Sequence, residues 1–259
     1  MSSRPIRRAG CGELQLSETA YEAGEEMGEH AHPETCVTLI LRGGVEERVA
    51  RRRADAGPAS IGIKPAQIEH SDRFGPAGSR TLKLRLGAGF LERLEEFSPP
   101  LERWSWVPLG AAAPVMLRIQ KRLWADPAEA GWLEELAIEL LAALQGDDRL
   151  RDRPTAPAWV RAVRQEVLAR YREGVRTRAL AEGAGVHPVY LARTFRRSFG
   201  ESISECVRRL RVQGAARLLE TGEGRISSVA YHTGFADQSH LTRVFREETG
   251  LTPGRWPAC

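Results

Sequence analysis

Cysteine is scarce in this chain. Its four residues, at positions 11, 36, 206 and 259, are scattered and form no CxxC pair. That excludes a disulfide framework and suits a reducing cytoplasm. Long apolar runs are also missing: no stretch approaches the ~20 residues that span a bilayer. The basic segment 1–10 is followed by no apolar run and does not read as a signal peptide. The expectation is a soluble, cytoplasmic protein with no membrane partner. Overall charge is nearly balanced, at +4, but its distribution is not. Residues 156–259 hold 17 Arg against 10 Asp plus Glu, a net +7, and the remainder carries −3. A basic C-terminal part beside a mildly acidic N-terminal one is what a polyanion-binding module fused to another domain shows. At 259 residues the chain has room for two such domains.

What is present begins as a β pattern. Leu82, Leu84 and Leu86 alternate with the charged Lys83 and Arg85, the period of a half-buried strand. Segments 35–41, 45–50 and 59–63 read as further short strands, with Gly43-Gly44 and Gly57-Pro58 as turns. Several short strands at this spacing indicate a sandwich or barrel. After Gly89 the period becomes helical. Val115, Ile119 and Leu123 form one stripe, broken at Asp126-Pro127; Trp132, Leu133, Leu136, Leu140 and Leu144 form another. Such stripes cover a β domain or make a dimer contact. The polar, proline-bearing run 147–157 reads as a linker.

The last hundred residues carry one pattern twice. Leu180-Ala181-x-x-x-Gly185-Val186 and Leu191-x-Arg193-x-Phe195-Arg196 close at Gly200. Val229-Ala230-x-x-x-Gly234-Phe235 and Leu241-x-Arg243-x-Phe245-Arg246 close at Gly250. Each copy reads as a short helix, a glycine turn and a second helix, the helix-turn-helix arrangement that places its second helix in the DNA major groove. An opening helix (Val160, Val163, Val167, Tyr171) precedes them. A longer one, capped by Ser202 and running to about 220, joins them.

Within each second helix, Leu191 and Phe195, or Leu241 and Phe245, must face the core. The opposite face carries Val189, Tyr190, Arg193 and Arg196 in the first unit, and Gln238, Ser239, Thr242 and Arg243 in the second, with Arg246 further along. Arg clamps guanine O6 and N7, and Gln pairs with adenine N6 and N7. Arg196, Arg197 and Arg246 are expected on phosphates, which set register rather than sequence. His187 and Asp237 read as helix caps.

The run Arg211-x-x-x-Ala215-x-x-Leu218-Leu219, Ile226-x-x-Val229-Ala230-x-x-x-Gly234-Phe235-x-Asp237, Leu241-x-Arg243-x-Phe245-Arg246 and Gly250-x-Thr252-Pro253 resembles the signature of the AraC/XylS regulators. It departs in Leu241, where the family commonly has Phe, and in the closing Gly254-Arg255-Trp256; neither change removes a polar contact. The resemblance implies a bacterial transcription regulator that binds promoter DNA and works with RNA polymerase, more often as an activator. It also implies a homodimer and an N-terminal sensor, often a cupin-like barrel.

Residues 24–70 look like that barrel. Gly24-x5-His30-x-His32-x3-Cys36-x7-Gly44 resembles the first cupin motif, and Pro65-x4-His70 the end of the second. Metal-binding cupins take two His and a Glu from the first and one His from the second. Cys36 stands where that Glu would be, and Glu34 lies two residues earlier. Positions 30, 32, 34 and 36 share parity, so an unbroken strand would point them to one face. His30, His32, Cys36 and His70 are therefore the candidate ligands for zinc, which takes N and S tetrahedrally, or for iron if Cys36 stands back. Against this, Pro33 interrupts the parity, and such histidines can persist without metal.

The expected fold is α+β: a cupin-like jelly-roll barrel with a helical extension over residues 1–146, a linker over 147–157, and an all-α domain of two helix-turn-helix units joined by a helix over 158–259. The expected function is a sequence-specific DNA-binding regulator, not an enzyme, responsive to a small ligand or metal. The alternatives are a constitutive regulator whose barrel only dimerises, and a cupin-type metalloenzyme, which leaves the C-terminal repeat unexplained.

Overall fold

A computed structural model describes residues 4–94, 101–125, 131–151, 153, 155–220, 222 and 225–256. The expected helix break at Asp126-Pro127 lies outside these residues, as does Cys259. Eight strands make one antiparallel sheet: β1 (Arg4–Cys11), β2 (Leu14–Tyr21), β3 (Glu26–His30), β4 (Thr35–Val49), β5 (Arg52–Ala56), β6 (Ser60–Lys64), β7 (His70–Leu86) and β8 (Ser105–Pro108). Their order is β1-β2-β7-β4-β6-β8, with β3 on β7 and β5 on β4. A short helix α1 (Ala88–Glu92) follows β7. Helices α2 (Ala112–Ala125) and α3 (Trp132–Gln145) pack on the sheet. The C-terminal helices are α4 (Ala158–Arg170), α5 (Thr177–Gly183), α6 (Pro188–Phe199), α7 (Ile203–Glu220), α8 (Ile226–His232) and α9 (Gln238–Thr249).

The two long strands differ from the sequence expectation. Gly43-Gly44 is not a turn: β4 runs straight through it, with register shifts at Ile40/Arg42 and Gly43/Val45. Such bulges bend a strand instead of ending it. Gly43 has φ 71°, and a Cβ there would lie 2.0 Å from the carbonyl oxygen of Gly78. Only glycine allows β4 and β7 to meet this closely. The expected turn at Gly57-Pro58 is present between β5 and β6.

Alternation gives the sheet two unlike faces. Leu14, Leu16, Val37, Leu39, Ile61, Ile63, Leu82, Leu84 and Leu86 join one apolar core with Met116, Ile119, Leu123, Leu140 and Leu144 of the helices. The same core continues into Val212, Ala215, Leu241, Phe245 and Trp256 of the C-terminal half. The first helix-turn-helix unit has its own cluster instead, built by Val160, Val163, Val167, Leu191, Phe195 and Cys206. Its opening helix α4 closes that cluster.

The segment read as a linker is pinned at its start. Arg149 donates to the carbonyls of Pro108 and Leu109, both at 2.7 Å, and is held by Asp147. Arg153 donates to the carbonyls of Arg196 and Arg197 at the end of α6. Helix α7 also docks on the barrel. Gln213 reaches Ser60, Arg217 lies against Gly57, and the Glu220 carboxylate accepts from the Gly43 N–H at 3.0 Å.

Burial pushes the Glu220 carboxyl up to about 7, against the opposing pull of the Gly43 N–H, Arg42 and Arg217. The folded chain therefore holds this proton more tightly than the unfolded one, and the linked stability is lost as pH rises from about 4.5 through 7. Glu220→Gln should raise the thermal midpoint relative to the parent at pH 8 more than at pH 5. Each kcal/mol gained is worth about 2–4 °C in a chain of this size.

Candidate functional sites

The two helix-turn-helix units repeat each other's construction. Helix α6 is capped by His187, whose Nδ1 accepts from the Val189 N–H at 3.3 Å, and begins with Pro188. Helix α9 is capped by Asp237, which accepts from the His240 N–H at 2.7 Å. Each ends on a left-handed glycine, Gly200 or Gly250, at φ 77°. The glycine turns before them, Gly185 and Gly234, also have positive φ. Ser202 and Glu205 exchange backbone and side-chain bonds as a capping box that starts α7.

The faces fall as the sequence reading placed them. Leu191, Phe195, Leu241 and Phe245 are fully buried. Val189, Tyr190, Arg193, Arg196, Arg197, Gln238, Ser239, Arg243 and Arg246 are exposed, and Thr242 is half-buried. Arg243 pairs with Glu247 at 2.9 Å, one turn along α9. Gln238, Ser239, Thr242, Arg243 and Arg246 line a surface depression with Glu247 and Thr252. Tyr231 on α8, 81% exposed, was not singled out in the sequence. Its position in the first helix of a unit gives no periodic signal that separates it from a core aromatic.

At the barrel mouth the structure brings together three of the four expected metal ligands. The rings of His30, His32 and His70 lie with centroids 4.2–5.1 Å apart, and one nitrogen from each falls within 4.8 Å of the others. His30 Nδ1 faces the Gly28 carbonyl at 2.8 Å, and His70 Nδ1 faces that of Ile68 at 3.0 Å. Donation to those carbonyls leaves an Nε2 lone pair on each ring, and both Nε2 atoms are buried without a hydrogen-bond partner. This is how a metal-ligating imidazole is normally oriented. Three imidazole nitrogens this close together are the donor set of an open, three-ligand metal site.

Cys36 does not join them. His30 ends β3 and Thr35 begins β4, so residues 31–34 are not strand and the expected parity is broken at Pro33. The buried Cys36 thiol turns to the Glu34 carbonyl at 3.6 Å, and burial pushes it up from its ordinary value. A closed Cys-His zinc set is therefore not formed by these four residues.

The sequence reading also missed a charged network. Lys83 and Arg85, the charged positions of the half-buried strand, lie on the enclosed face of the sheet. Lys83 Nζ lies 3.4 Å from His32 Nε2. Lys64 Nζ contacts Glu47 at 2.5 Å and Asp72 at 3.7 Å. It takes the place that a cation would hold between those carboxylates. The indoles of Trp104 and Trp106 donate to the same Glu47. Burial, then the charges of Lys83 and Lys64, drive His32 down to about 3; burial, then Lys64, drives His70 to about 4. Burial and Lys64 lower Lys83 to about 8. At neutral pH the two histidines are uncharged and offer lone pairs. Strand parity offered the only signal for these residues, and it could not say which face was enclosed.

Residues 180–258 match a family described as a helix-turn-helix domain. The HTH-type transcriptional regulator GlxA of Rhizobium meliloti is 32% identical over 151 residues, 56% of this chain and 46% of that protein. The HTH-type transcriptional regulator RipA of Corynebacterium glutamicum is 38% identical over 135 residues, 47% of this chain and 40% of that protein. The chain thus spans less than half the length of these curated relatives. Among solved structures, ToxT from Vibrio cholerae aligns over 95% of this chain and 98% of its own, at 12% identity and a TM-score of 0.41. No helix among the described residues is long and apolar enough to cross a membrane.

Replacing Lys64 tests the charged network. Lys64→Met should cost roughly 3–5 kcal/mol in urea unfolding, because it strands the buried Glu47 charge. Adding Glu47→Gln to that variant should recover most of the loss.

Proposed function

We propose that this chain, whose C-terminal region is a helix-turn-helix domain of the AraC type, is a sequence-specific DNA-binding transcription regulator responsive to a small ligand or metal held in its N-terminal barrel. The observation that carries the DNA reading is the repeated pair of capped helices, each with a buried Leu/Phe face and an exposed Arg-bearing face. Joined through α7, the recognition helices α6 and α9 enter successive major grooves on one side of the duplex, about 34 Å apart. Arg193, Arg243 and Gln238 read base edges; Val189, Tyr190, Ser239 and Thr242 add apolar and hydroxyl contacts. Arg196, Arg197 and Arg246 hold phosphates. On guanine, Arg243 exchanges its Glu247 partner for O6 and N7.

The functional parts follow the sequence boundaries: a sensor over 1–146, a connection over 147–157 and a DNA-binding part over 158–259. Promoter DNA and RNA polymerase are its partners, a second copy of the chain pairs with it, and the compartment is the cytoplasm. The regulators named among its relatives support a non-enzymatic role. In the barrel, the Nε2 atoms of His30 and His70 and a ring nitrogen of His32 would hold a zinc or iron ion. The ion would supply an open coordination position for an oxygen atom of the effector. Lys83, beside His32, would face the negative charge of such a ligand.

Arg193→Ala and Arg243→Ala should each weaken cognate binding by about 1–3 kcal/mol and relax base preference nearby. Equal losses on cognate and random duplexes, measured by fluorescence anisotropy, would place these arginines on phosphate alone. Affinity should also fall steeply between 50 and 200 mM salt, on the order of a thousandfold for about six phosphate contacts. For the barrel, protein purified without a histidine tag should carry near-stoichiometric metal, and a His30→Ala, His32→Ala variant none. Metal absent from both, with no uptake of Zn²⁺ or Fe²⁺, leaves only an organic effector.

A further inference from the structure

The two recognition helices open on unlike chemistry. Aligned through Leu191 and Leu241, Pro188, Val189, Tyr190 and Ala192 of α6 stand where α9 has Gln238, Ser239, His240 and Thr242. The first turn of α6 is apolar and yet faces solvent: Val189 is 52% and Tyr190 56% exposed. In a helix-turn-helix unit this turn meets the base edges. It is poorly built as a phosphate clamp, which needs free N–H groups at the helix start. Pro188 has no N–H to offer, and that of Val189 is taken by His187 Nδ1.

Tyr190 is also held in place. Its ring stacks on the indole of Trp159, with centroids 5.7 Å apart and planes 23° from parallel. Trp159 lies in the first turn of α4 and packs on the apolar cluster of the first unit. A ring packed on one side and open on the other loses little freedom on binding. The same surface of α6 carries Arg193, Arg196 and Arg197, all exposed. In α9 the residue one turn beyond Arg243 is Glu247, which pairs with it; in α6 that place is taken by Arg197. Apolar side chains set among these arginines suit a partner that offers apolar groups within a strongly negative surface. In the major groove of DNA, the apolar group that base edges present is the thymine C5-methyl.

We propose that Val189 and Tyr190 make α6 a reader of thymine C5-methyl groups, with Trp159 as the positioning residue of Tyr190, while α9 reads polar base edges. The two halves of the DNA site are then told apart by different chemistry. Under α6 the methyl groups pack against a valine and a ring edge; under α9 the Gln238 amide and the Arg243 guanidinium take up hydrogen-bonding atoms. This deepens the DNA-binding reading above and rests on it.

In the test, the full chain first selects its preferred duplexes from a randomised pool. Each thymine of the selected site is then replaced by uracil, which removes only the methyl group, and affinities are compared by fluorescence anisotropy. The expected result is a loss of about fourfold at one or more thymines, the worth of one buried methyl group each. That loss should vanish in the Val189→Ala, Tyr190→Ala variant and persist in Gln238→Ala. Trp159→Ala should shrink the uracil effect without changing the salt dependence of binding, and Trp159→Phe should restore it. A uracil penalty that persists in the Val189→Ala, Tyr190→Ala variant would overturn the methyl reading by α6. Weaker binding by Trp159→Ala with the uracil effect intact would overturn the positioning role of Trp159. A selection that enriches no sequence would overturn the DNA reading and this one with it. An enriched site indifferent to uracil at every position would leave the DNA reading standing and overturn only the methyl reading.

Discussion

The structure depends on the period-two alternation of three strands, β4, β6 and β7. Because successive side chains point to opposite faces, the leucines, valines and isoleucines that build the core against α2 and α3 oblige the intervening residues to face the other way. Those residues include Cys36, Thr38, Lys64, Lys83 and Arg85, beside the apolar Ile40, which joins a smaller cluster with Val45 and Phe74. The bends at Gly43 and Gly78 then curl that polar face inward. Charged side chains that would be unremarkable on an open sheet become an enclosed network, and their charges must be balanced there. Lys64, set between Glu47 and Asp72, supplies most of that balance.

The two halves share packing. The second helix-turn-helix unit belongs to the same apolar core as the barrel helices, whereas the first closes a core of its own. Helix α7 contributes to both, with Cys206 in one cluster and Val212 and Ala215 in the other. Its last turns also touch β4 and the loop at Gly57. In the proposed regulator, a change in barrel shape near β4 or β6 would act on α7, the helix that joins the two helix-turn-helix units. Arg153 adds a tie from the connecting segment to the end of α6.

Which residues of α6 and α9 are exposed was largely legible in the sequence, because a helix reports its own faces. Leu191 and Phe195 four residues apart fix which side is core, and the remaining side is then known without any tertiary information. Caps and glycine turns are equally local, so His187, Asp237, Ser202, Gly185 and Gly234 could be placed by type. The barrel was harder to read. Alternation says that Leu84 and Lys83 lie on opposite faces, but not which face a distant helix covers and which a folded sheet encloses. The Gly43-Gly44 pair looks alike in a turn and in a bulge. Pro33 separated Cys36 from the histidines through a break in backbone direction, which residue spacing alone does not reveal.

The sequence by itself determined the two helix-turn-helix units, the arginines they expose, and the β-then-α order of the chain. These rest on interactions within a few residues of each other: hydrogen bonds one turn apart, caps and apolar stripes. Only the tertiary structure decided that three histidines without Cys36 meet at the barrel mouth, that Lys64 and Lys83 turn inward, and that Glu220 of α7 reaches Gly43. Those arrangements join residues tens to more than a hundred positions apart. Their proximity is set by how the sheet bends and where α7 docks.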